Sequence, residues 1–207
     1  MTEAIIVTLD GCRTRAREGA TILDTARRAG IAIPTLCHLP GKPVRAACRL
    51  CLVRVAGQRE LVAACHSPIR HGMQVITHDP EIARARRVIA ELMLAEHDPA
   101  AEQHSAIEAL ARELGVDVAH PRFRRTQSAP ARDQGSEHIA VHTEHCVHCD
   151  RCIRACPRDL IARTGRAQQL GVRFGPRDSL ADSSCSGCGD CVAVCPAGAL
   201  VRRTPEP

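Results

Sequence analysis

The run CVHCDRCIRACP at residues 146–157 returns with the same cysteine spacing as CSGCGDCVAVCP at residues 185–196. In both runs, intervals of two, two and three residues separate four cysteines, and a proline follows the fourth. Three cysteines at this spacing can surround one metal centre from a single short loop, while the fourth reaches away from that loop. Two complete copies therefore predict two related metal centres in the C-terminal part of the chain.

Bacterial ferredoxins use this spacing to hold [4Fe–4S] clusters, and the fourth cysteine of each run ligates the cluster of the other run. The first expected ligand set contains Cys146, Cys149, Cys152 and Cys195. The second contains Cys185, Cys188, Cys191 and Cys156. We expect each fourth cysteine to lie in the first turn of a helix. Two zinc sites are the alternative, because tetrahedral zinc also accepts four thiolates.

A third group of cysteines precedes the two runs and follows the pattern C-x10-C-x2-C-x13-C. A long interval, a close pair and a distant fourth cysteine are typical of a ferredoxin-type [2Fe–2S] site. The expected ligands are Cys37, Cys48, Cys51 and, from a following strand, Cys65. A zinc ribbon is the alternative, although ribbons usually contain two C-x2-C pairs. These three groups contain all 13 cysteines except Cys12, which we expect to be an unligated thiol in a turn.

The residues around the third group predict a β-grasp, which is a mixed sheet crossed by one helix. Alternating apolar residues predict short strands over residues 3–10, 13–18, 52–56, 58–64 and 73–77. Thr21 can cap a helix over residues 22–29, which Gly30 would end. The expected helix therefore lies between the first two strands and the cysteine loop.

The middle of the chain contains no cysteine and is predicted to be helical. Asp79 and Pro80 favour the start of a helix that runs to about residue 95. Its expected apolar stripe comprises Ile82, Val88, Ile89, Leu92 and Met93. Ser105 and Glu108 form the pattern of a capping box for a second helix over residues 106–114.

The predicted architecture is α+β and has four parts. Residues 1–78 form a β-grasp [2Fe–2S] domain, and residues 79–120 form a helical segment without a cluster. Residues 121–137 are a linker, and residues 138–207 form a ferredoxin domain with two [4Fe–4S] clusters.

Composition excludes several classes of protein. The N-terminus has no basic segment before an apolar run, so we expect no signal peptide, and no apolar run is long enough to insert in a membrane. The expected location is the cytoplasm, where cysteines stay reduced and serve as metal ligands rather than disulfides. The net charge is +5, but there is no Trp or Tyr on which bases could stack. We therefore expect no nucleic-acid partner.

Several further stretches complete a resemblance that covers nearly the whole chain: IPTLCH at 33–38, CRLCLVRV at 48–55, ELGV at 113–116 and CVAVCPAGAL at 191–200. The chain resembles the N-terminal iron–sulfur region of NAD-linked formate dehydrogenases and of [FeFe]-hydrogenases. It is similar too to the diaphorase iron–sulfur subunit of [NiFe]-hydrogenases and to the corresponding subunit of respiratory complex I.

The resemblance implies a non-catalytic subunit that relays electrons between two partners. One is a flavoprotein that handles NAD(P), and the other is a catalytic subunit, either a molybdenum or tungsten formate dehydrogenase or a hydrogenase. A free polyferredoxin carrier or an iron–sulfur redox sensor is the alternative function. Free ferredoxins are usually strongly acidic, which favours the subunit for this basic chain.

The sequence departs from this family in the helical segment. The family has H-x3-C-x2-C-x5-C there, which ligates a further [4Fe–4S] cluster. His97 matches the histidine, but the cysteine positions hold Ala101, His104 and Leu110. We expect that cluster to be absent and His97 to be an unused residue at a helix end. Four more histidines surround the first run and are expected to be exposed: His138, His142, His145 and His148.

Overall fold

The computed structural model describes residues 5–97, 105–123, 135–166, 170–175 and 185–203. The chain divides into two compact units, Met1–His38 with Val44–Ala90, and Leu39–Pro43 with Glu91–Pro207. Most of the predicted linker lies outside the described residues. The four-part division at residues 78, 120 and 137 stays a prediction.

The first unit contains a five-stranded mixed sheet with the strand order β2-β1-β5-β3-β4. The strands are β1 Ile5–Leu9, β2 Cys12–Ala16, β3 Leu52–Val55, β4 Val62–Ala63 and β5 Gln74–Ile76. Strands β1 and β5 run parallel, whereas the other neighbouring strands are antiparallel. Helix α1, Ile22–Arg28, packs on this sheet, so the unit has the expected β-grasp arrangement.

The core of the first unit is aliphatic, as a chain with so few aromatic residues requires. Ile22, Leu23 and Ala26 of α1 are completely buried. They belong to one cluster with side chains of the sheet, including Val7, Leu9, Val53 and Val75. Two cysteines, Cys51 and Cys65, are part of the same cluster. The cysteine site therefore lies at the margin of the core.

The two capping boxes expected from the sequence differ in the structure. At α1, Thr21 Oγ1 accepts from the Asp24 N–H at 3.1 Å, and Asp24 Oδ2 accepts from the Thr21 N–H at 3.2 Å. At α3, Ala106–Glu113, the Ser105 side chain makes no capping bond. The expected capping box is therefore absent at α3, where the first N–H of the helix, that of Ala106, donates to the Pro196 carbonyl at 2.8 Å.

Helix α2, Pro80–Glu96, begins as expected, since Asp79 Oδ1 accepts from the Ile82 N–H at 2.7 Å. The expected apolar stripe was wrong at Leu92, which is 49% exposed, whereas Ile82 is buried and the other three members are partly buried. The buried positions recur every four residues and include Ile82, Arg86 and Ala90. Arg86 is buried because its Nη2 donates to the Leu52 and Thr77 carbonyls at 2.7 and 3.0 Å.

Among its described residues, the second unit contains two small antiparallel pairs of strands and, besides α3, two shorter helices. Strand β6, Ile139–Val141, pairs with β9, Leu200–Arg202, and β7, Ile161–Thr164, pairs with β8, Gly171–Phe174. Helix α4, Arg151–Ala155, lies between β6 and β7, and α5, Asp190–Ala193, lies between β8 and β9. Each cysteine run is thus placed between two strands. Among the described residues, no helix combines the length and the apolar character needed to cross a bilayer.

The two capping sites give a matched pair of substitutions. Thr21→Ala should lower the free energy of unfolding of the first unit by about 1 kcal/mol, because the Asp24 N–H loses its acceptor. Ser105→Ala should cost nothing measurable, because Ser105 Oγ is buried without a hydrogen-bond partner among the described residues. Urea unfolding of both variants checks this. Equal losses in the two variants would contradict the assignment of the caps.

Candidate iron–sulfur cluster sites

Four cysteines meet in the first unit, and all four side chains are buried: Cys37, Cys48, Cys51 and Cys65. Cys37 and Cys48 belong to the long connection between α1 and β3, and Cys51 immediately precedes β3. Cys65 follows β4 instead of lying in it, because β4 spans only Val62–Ala63. The Cys37 N–H points to Cys48 Sγ at 3.4 Å, and the Cys48 N–H points to Cys37 Sγ at 3.5 Å.

The four thiols of this site interact as two pairs. The hydrogen bond from Cys37 lowers the pKa of Cys48 to about 6, and the same bond, with burial, raises the pKa of Cys37. The hydrogen bond from Cys65 lowers the pKa of Cys51 to about 7, and the pKa of Cys65 rises correspondingly. Each pair therefore supplies one thiolate near neutral pH, which is the form that binds metal.

The loop that carries Cys48 has an unusual backbone. Ala46 has a φ of 51° and Arg49 a φ of 58°, so both lie in the left-handed region that favours glycine. An alanine in that conformation costs about 1 kcal/mol. The backbone bends on both sides of Cys48, and the strain is concentrated in the cysteine loop.

The eight cysteines of the second unit line two small cavities, four cysteines in each, and both cavities are partly open to solvent. The first cavity is lined by Cys146, Cys149, Cys152 and Cys195. The second is lined by Cys156, Cys185, Cys188 and Cys191. Each cavity therefore takes three cysteines from one run and one cysteine from the other, which is the crossed pattern expected from the spacing.

The fourth cysteine of each run does not lie in the first turn of a helix, so that expectation was wrong. Cys156 is the residue that ends α4, because Pro157 disfavours helical backbone at the position before it. The Leu160 N–H donates to Cys156 Sγ at 3.4 Å. The Ala199 N–H donates to Cys195 Sγ at 3.2 Å, which repeats the arrangement in the second run.

Burial dominates the acidity of the thiols around these cavities. It raises the pKa of Cys146 to about 11, of Cys149 to about 12 and of Cys191 to about 11, and it also raises that of Cys152. An uncompensated charge on sulfur would be costly there. Four thiols around each cavity are the donor set that a [4Fe–4S] cluster takes, one thiolate for each iron.

Sequence reasoning missed two arginines that hold the cysteine loops. Arg163 Nη2 donates to the His148 carbonyl at 3.0 Å. Arg202 donates to the Gly187 and Cys188 carbonyls, both at 2.7 Å. The repeat itself was the available signal, because Arg163 follows Cys152 by the same interval as Arg202 follows Cys191.

His97 is not an unused residue at a helix end, because its side chain is only 1% exposed. Its Nδ1 lies 2.9 Å from the His145 carbonyl, and its Nε2 lies 3.6 Å from Glu108 Oε1. His145 is 15% exposed, so the expectation of an exposed loop histidine was wrong for that residue. Leu110 lies in α3, whereas positions 101 and 104 lie outside the described residues.

Cys12 stands apart from the three groups. It is exposed and begins β2, where it pairs with Leu9 of β1. The expected turn residue is therefore a strand residue.

Comparison with known proteins gives two domain families. Residues 2–80 match the family described as "2Fe-2S iron-sulfur cluster binding domain". Residues 145–199 match the family described as "4Fe-4S dicluster domain". These matches cover the first-unit site and both cysteine runs.

Whole-chain relatives belong to larger oxidoreductases. The chain is 33% identical to the NADP-reducing hydrogenase subunit HndD of Solidesulfovibrio fructosivorans, over 96% of this chain and 36% of that protein. It is 34% identical to a component of the NADH-quinone oxidoreductase of Rhizobium meliloti, over 95% of this chain and 24% of that protein. It is 29% identical to the gamma subunit of the NAD-reducing hydrogenase HoxS of Cupriavidus necator, over 97% of this chain and 88% of that one.

A solved structure shares the fold. A chain in a crystal structure of an NAD⁺-reducing [NiFe]-hydrogenase superposes with a TM-score of 0.82, at 24% identity, over 98% of this chain and 89% of that chain. The protein thus joins a 2Fe-2S iron–sulfur cluster binding domain to a 4Fe-4S dicluster domain, and its homologues are subunits of NAD(P)-reducing hydrogenases and of complex I-like enzymes.

Proposed function

We propose that the chain is a non-catalytic iron–sulfur subunit that relays electrons between an NAD(P)-handling flavoprotein and a catalytic metal subunit. One observation carries this proposal: twelve of the cysteines meet in three groups of four, at the expected places in both units. The relatives support it, since the gamma subunit of an NAD-reducing hydrogenase matches nearly end to end.

The proposed ligands follow the three groups. A [2Fe–2S] cluster takes Cys37, Cys48, Cys51 and Cys65. One [4Fe–4S] cluster takes Cys146, Cys149, Cys152 and Cys195, and the other takes Cys185, Cys188, Cys191 and Cys156. This assignment corresponds to about 10 iron atoms per chain, from one cluster with two irons and two with four.

Iron–sulfur clusters of these types supply one-electron transfer when bound. The residues of the chain provide the surroundings that such transfer needs. Eight of the twelve thiols are buried away from water, and backbone N–H groups stabilise the negative charge on sulfur at Cys37, Cys48, Cys156 and Cys195. Short strands and helices hold the cysteine loops, so little rearrangement accompanies a change of charge.

For the catalytic partner we propose a hydrogenase, because hydrogenase subunits recur among the relatives. A molybdenum or tungsten formate dehydrogenase is the second candidate, from the resemblance of the sequence motifs. The two partners differ in the reductant they oxidise, so they can be separated by assay.

Affinity purification from the native organism tests the function. The chain should co-purify with a flavoprotein and a catalytic metal subunit, and the complex should reduce NAD⁺ or NADP⁺ with hydrogen or formate. Deletion of the gene should abolish that activity in extracts. If the chain elutes alone and the activity survives deletion, the free-carrier function takes the place of the relay within a complex.

Serine substitutions test the crossed ligand sets. Cys156→Ser should alter the EPR signal of the cluster held by the second run, and Cys195→Ser that of the cluster held by the first run. Variants that lack the first three cysteines of one run supply the reference spectra, and Cys12→Ser should leave all of the roughly 10 irons in place. Damage confined to the cluster of the mutated run would contradict crossed ligation.

The thiol pKa values predict the order of cluster assembly in the cluster-free chain. At pH 7, Cys48 with a pKa of about 6 is mostly thiolate, whereas Cys146 with a pKa of about 11 is protonated. Limiting iron and sulfide should therefore form the [2Fe–2S] cluster first. The thiolate fraction of Cys146 rises about tenfold per pH unit below its pKa. The preference for [2Fe–2S] assembly over [4Fe–4S] assembly should therefore be smaller at pH 9.

Circular dichroism and EPR after each addition of iron measure that order. Cys48→Ser is the comparison variant, since it removes the more acidic of the two low-pKa thiols and should reduce the preference for [2Fe–2S] assembly at pH 7. An assembly order that does not change between pH 7 and pH 9 would count against thiol ionisation as its cause.

A further inference from the structure

The two cysteine runs of the second unit are clamped by arginines at equivalent places. Arg163 of β7 bonds to the carbonyl of His148, the residue two places after Cys146. Arg202 of β9 bonds to the carbonyl of Gly187, the residue two places after Cys185. The same interaction therefore recurs in both copies of the repeat, although the sequences of the two loops differ.

The clamps differ at the fifth residue of each run, which is Asp150 in the first and Gly189 in the second. Both residues have left-handed backbone, with φ values of 59° and 84°. The Asp150 side chain is 9% exposed, and its Oδ1 accepts from Arg163 Nη2 at 2.6 Å. A Cβ added to Gly189 would lie only 2.0 Å from Arg202 Nη2. Arg202 therefore occupies the space that the aspartate side chain takes in the first run.

This difference leaves the two cavities with different charge. Around the first, a buried carboxylate neutralises Arg163. Around the second, Arg202 has no carboxylate within ion-pair distance in the part of the chain that the structure describes. Among the neighbouring charges, Arg151 acts on the Cys149 thiol, Asp190 stands at the equivalent position of the second run, and Arg158 lines the second cavity. Asp190 is exposed and screened by solvent, whereas Asp150 is buried, so we base the comparison on the clamps, which differ by one positive charge in favour of the second cavity.

We propose that this asymmetry makes the cluster held by Cys185, Cys188, Cys191 and Cys156 the one with the higher reduction potential. The inference rests on the proposed function, because it requires a cluster in each cavity. When the pair of clusters accepts one electron, that electron resides on the second cluster. No proton and no bond change accompany the step, and the oxidant and reductant are the partners on either side of the relay.

Coulomb's law sets the expected size of the effect. Asp150 is buried, so removing its charge should change the ratio of reduced to oxidised first cluster at a fixed potential by about tenfold. Tenfold corresponds to about 59 mV for a one-electron couple. Arg202 is exposed to solvent, and screening should reduce its effect to roughly threefold.

EPR-monitored potentiometric titration of the cluster-loaded chain tests the proposal at about pH 8.5, above the range where histidines ordinarily titrate. Asp150→Asn keeps a hydrogen-bond acceptor for Arg163 but loses the charge, so the lower-potential wave should move up. Arg202→Met should move the higher-potential wave down. Arg202→Lys keeps the positive charge without the planar guanidinium, so it should restore most of the potential that Arg202→Met loses. Asp117→Asn, an exposed carboxylate paired with His120, is the matched control and should move neither wave.

The outcomes separate this inference from the proposed function. Iron content and the presence of two cubane signals report whether the cavities hold clusters, independently of their potentials. If both clusters are present and the Asp150→Asn and Arg202→Met variants shift neither wave, the charge asymmetry is refuted while the relay stands. If Arg202→Lys shifts the wave as far as Arg202→Met, the arginine acts only by holding the loop, and the proposal also fails. Loss of both clusters in the unmodified chain would refute the proposed function instead.

Discussion

The convergence of buried thiols is the constraint on which the rest of the structure depends. A thiol away from water resists ionisation, yet only the thiolate binds metal, so each site must lower the cost of negative charge. The first unit does this by pairing Cys37 with Cys48 and Cys51 with Cys65. In each pair, the thiol of one cysteine donates a hydrogen bond to the thiolate of the other. The second unit relies on N–H donors to Cys156 and Cys195 and on nearby arginines.

The aliphatic composition makes the cysteine sites part of the folded core. Cysteines of both runs stand beside Val172, Phe174 and Leu200 in the apolar cluster of the second unit. Small strands such as β6 and β9, with three residues each, bury little area by themselves. Site and scaffold therefore stabilise one another, as in other small domains where metal binding contributes folding energy.

Spacing within a short stretch of sequence predicted most of the site, whereas contacts between distant residues caused the errors. The repeat was enough to predict which cysteines meet in each cavity, and Thr21 was enough to place the start of α1. At Ser105 the pattern of a capping box is present but the side-chain bond is not, and the Ala106 N–H finds its acceptor at Pro196, far along the chain. The buried face of α2 was missed because Arg86, a charged residue, bonds to carbonyls of Leu52 and Thr77. A one-dimensional pattern contains no information on such partners.

Each cavity takes its fourth cysteine from the other run, so each cavity of the second unit depends on both of its halves. A fragment that ends near residue 166 would hold three ligands of one cavity and a single ligand of the other, and its complement would hold the reverse. Neither fragment contains the four cysteines of either cavity, so a metal centre in either one requires both halves of the unit.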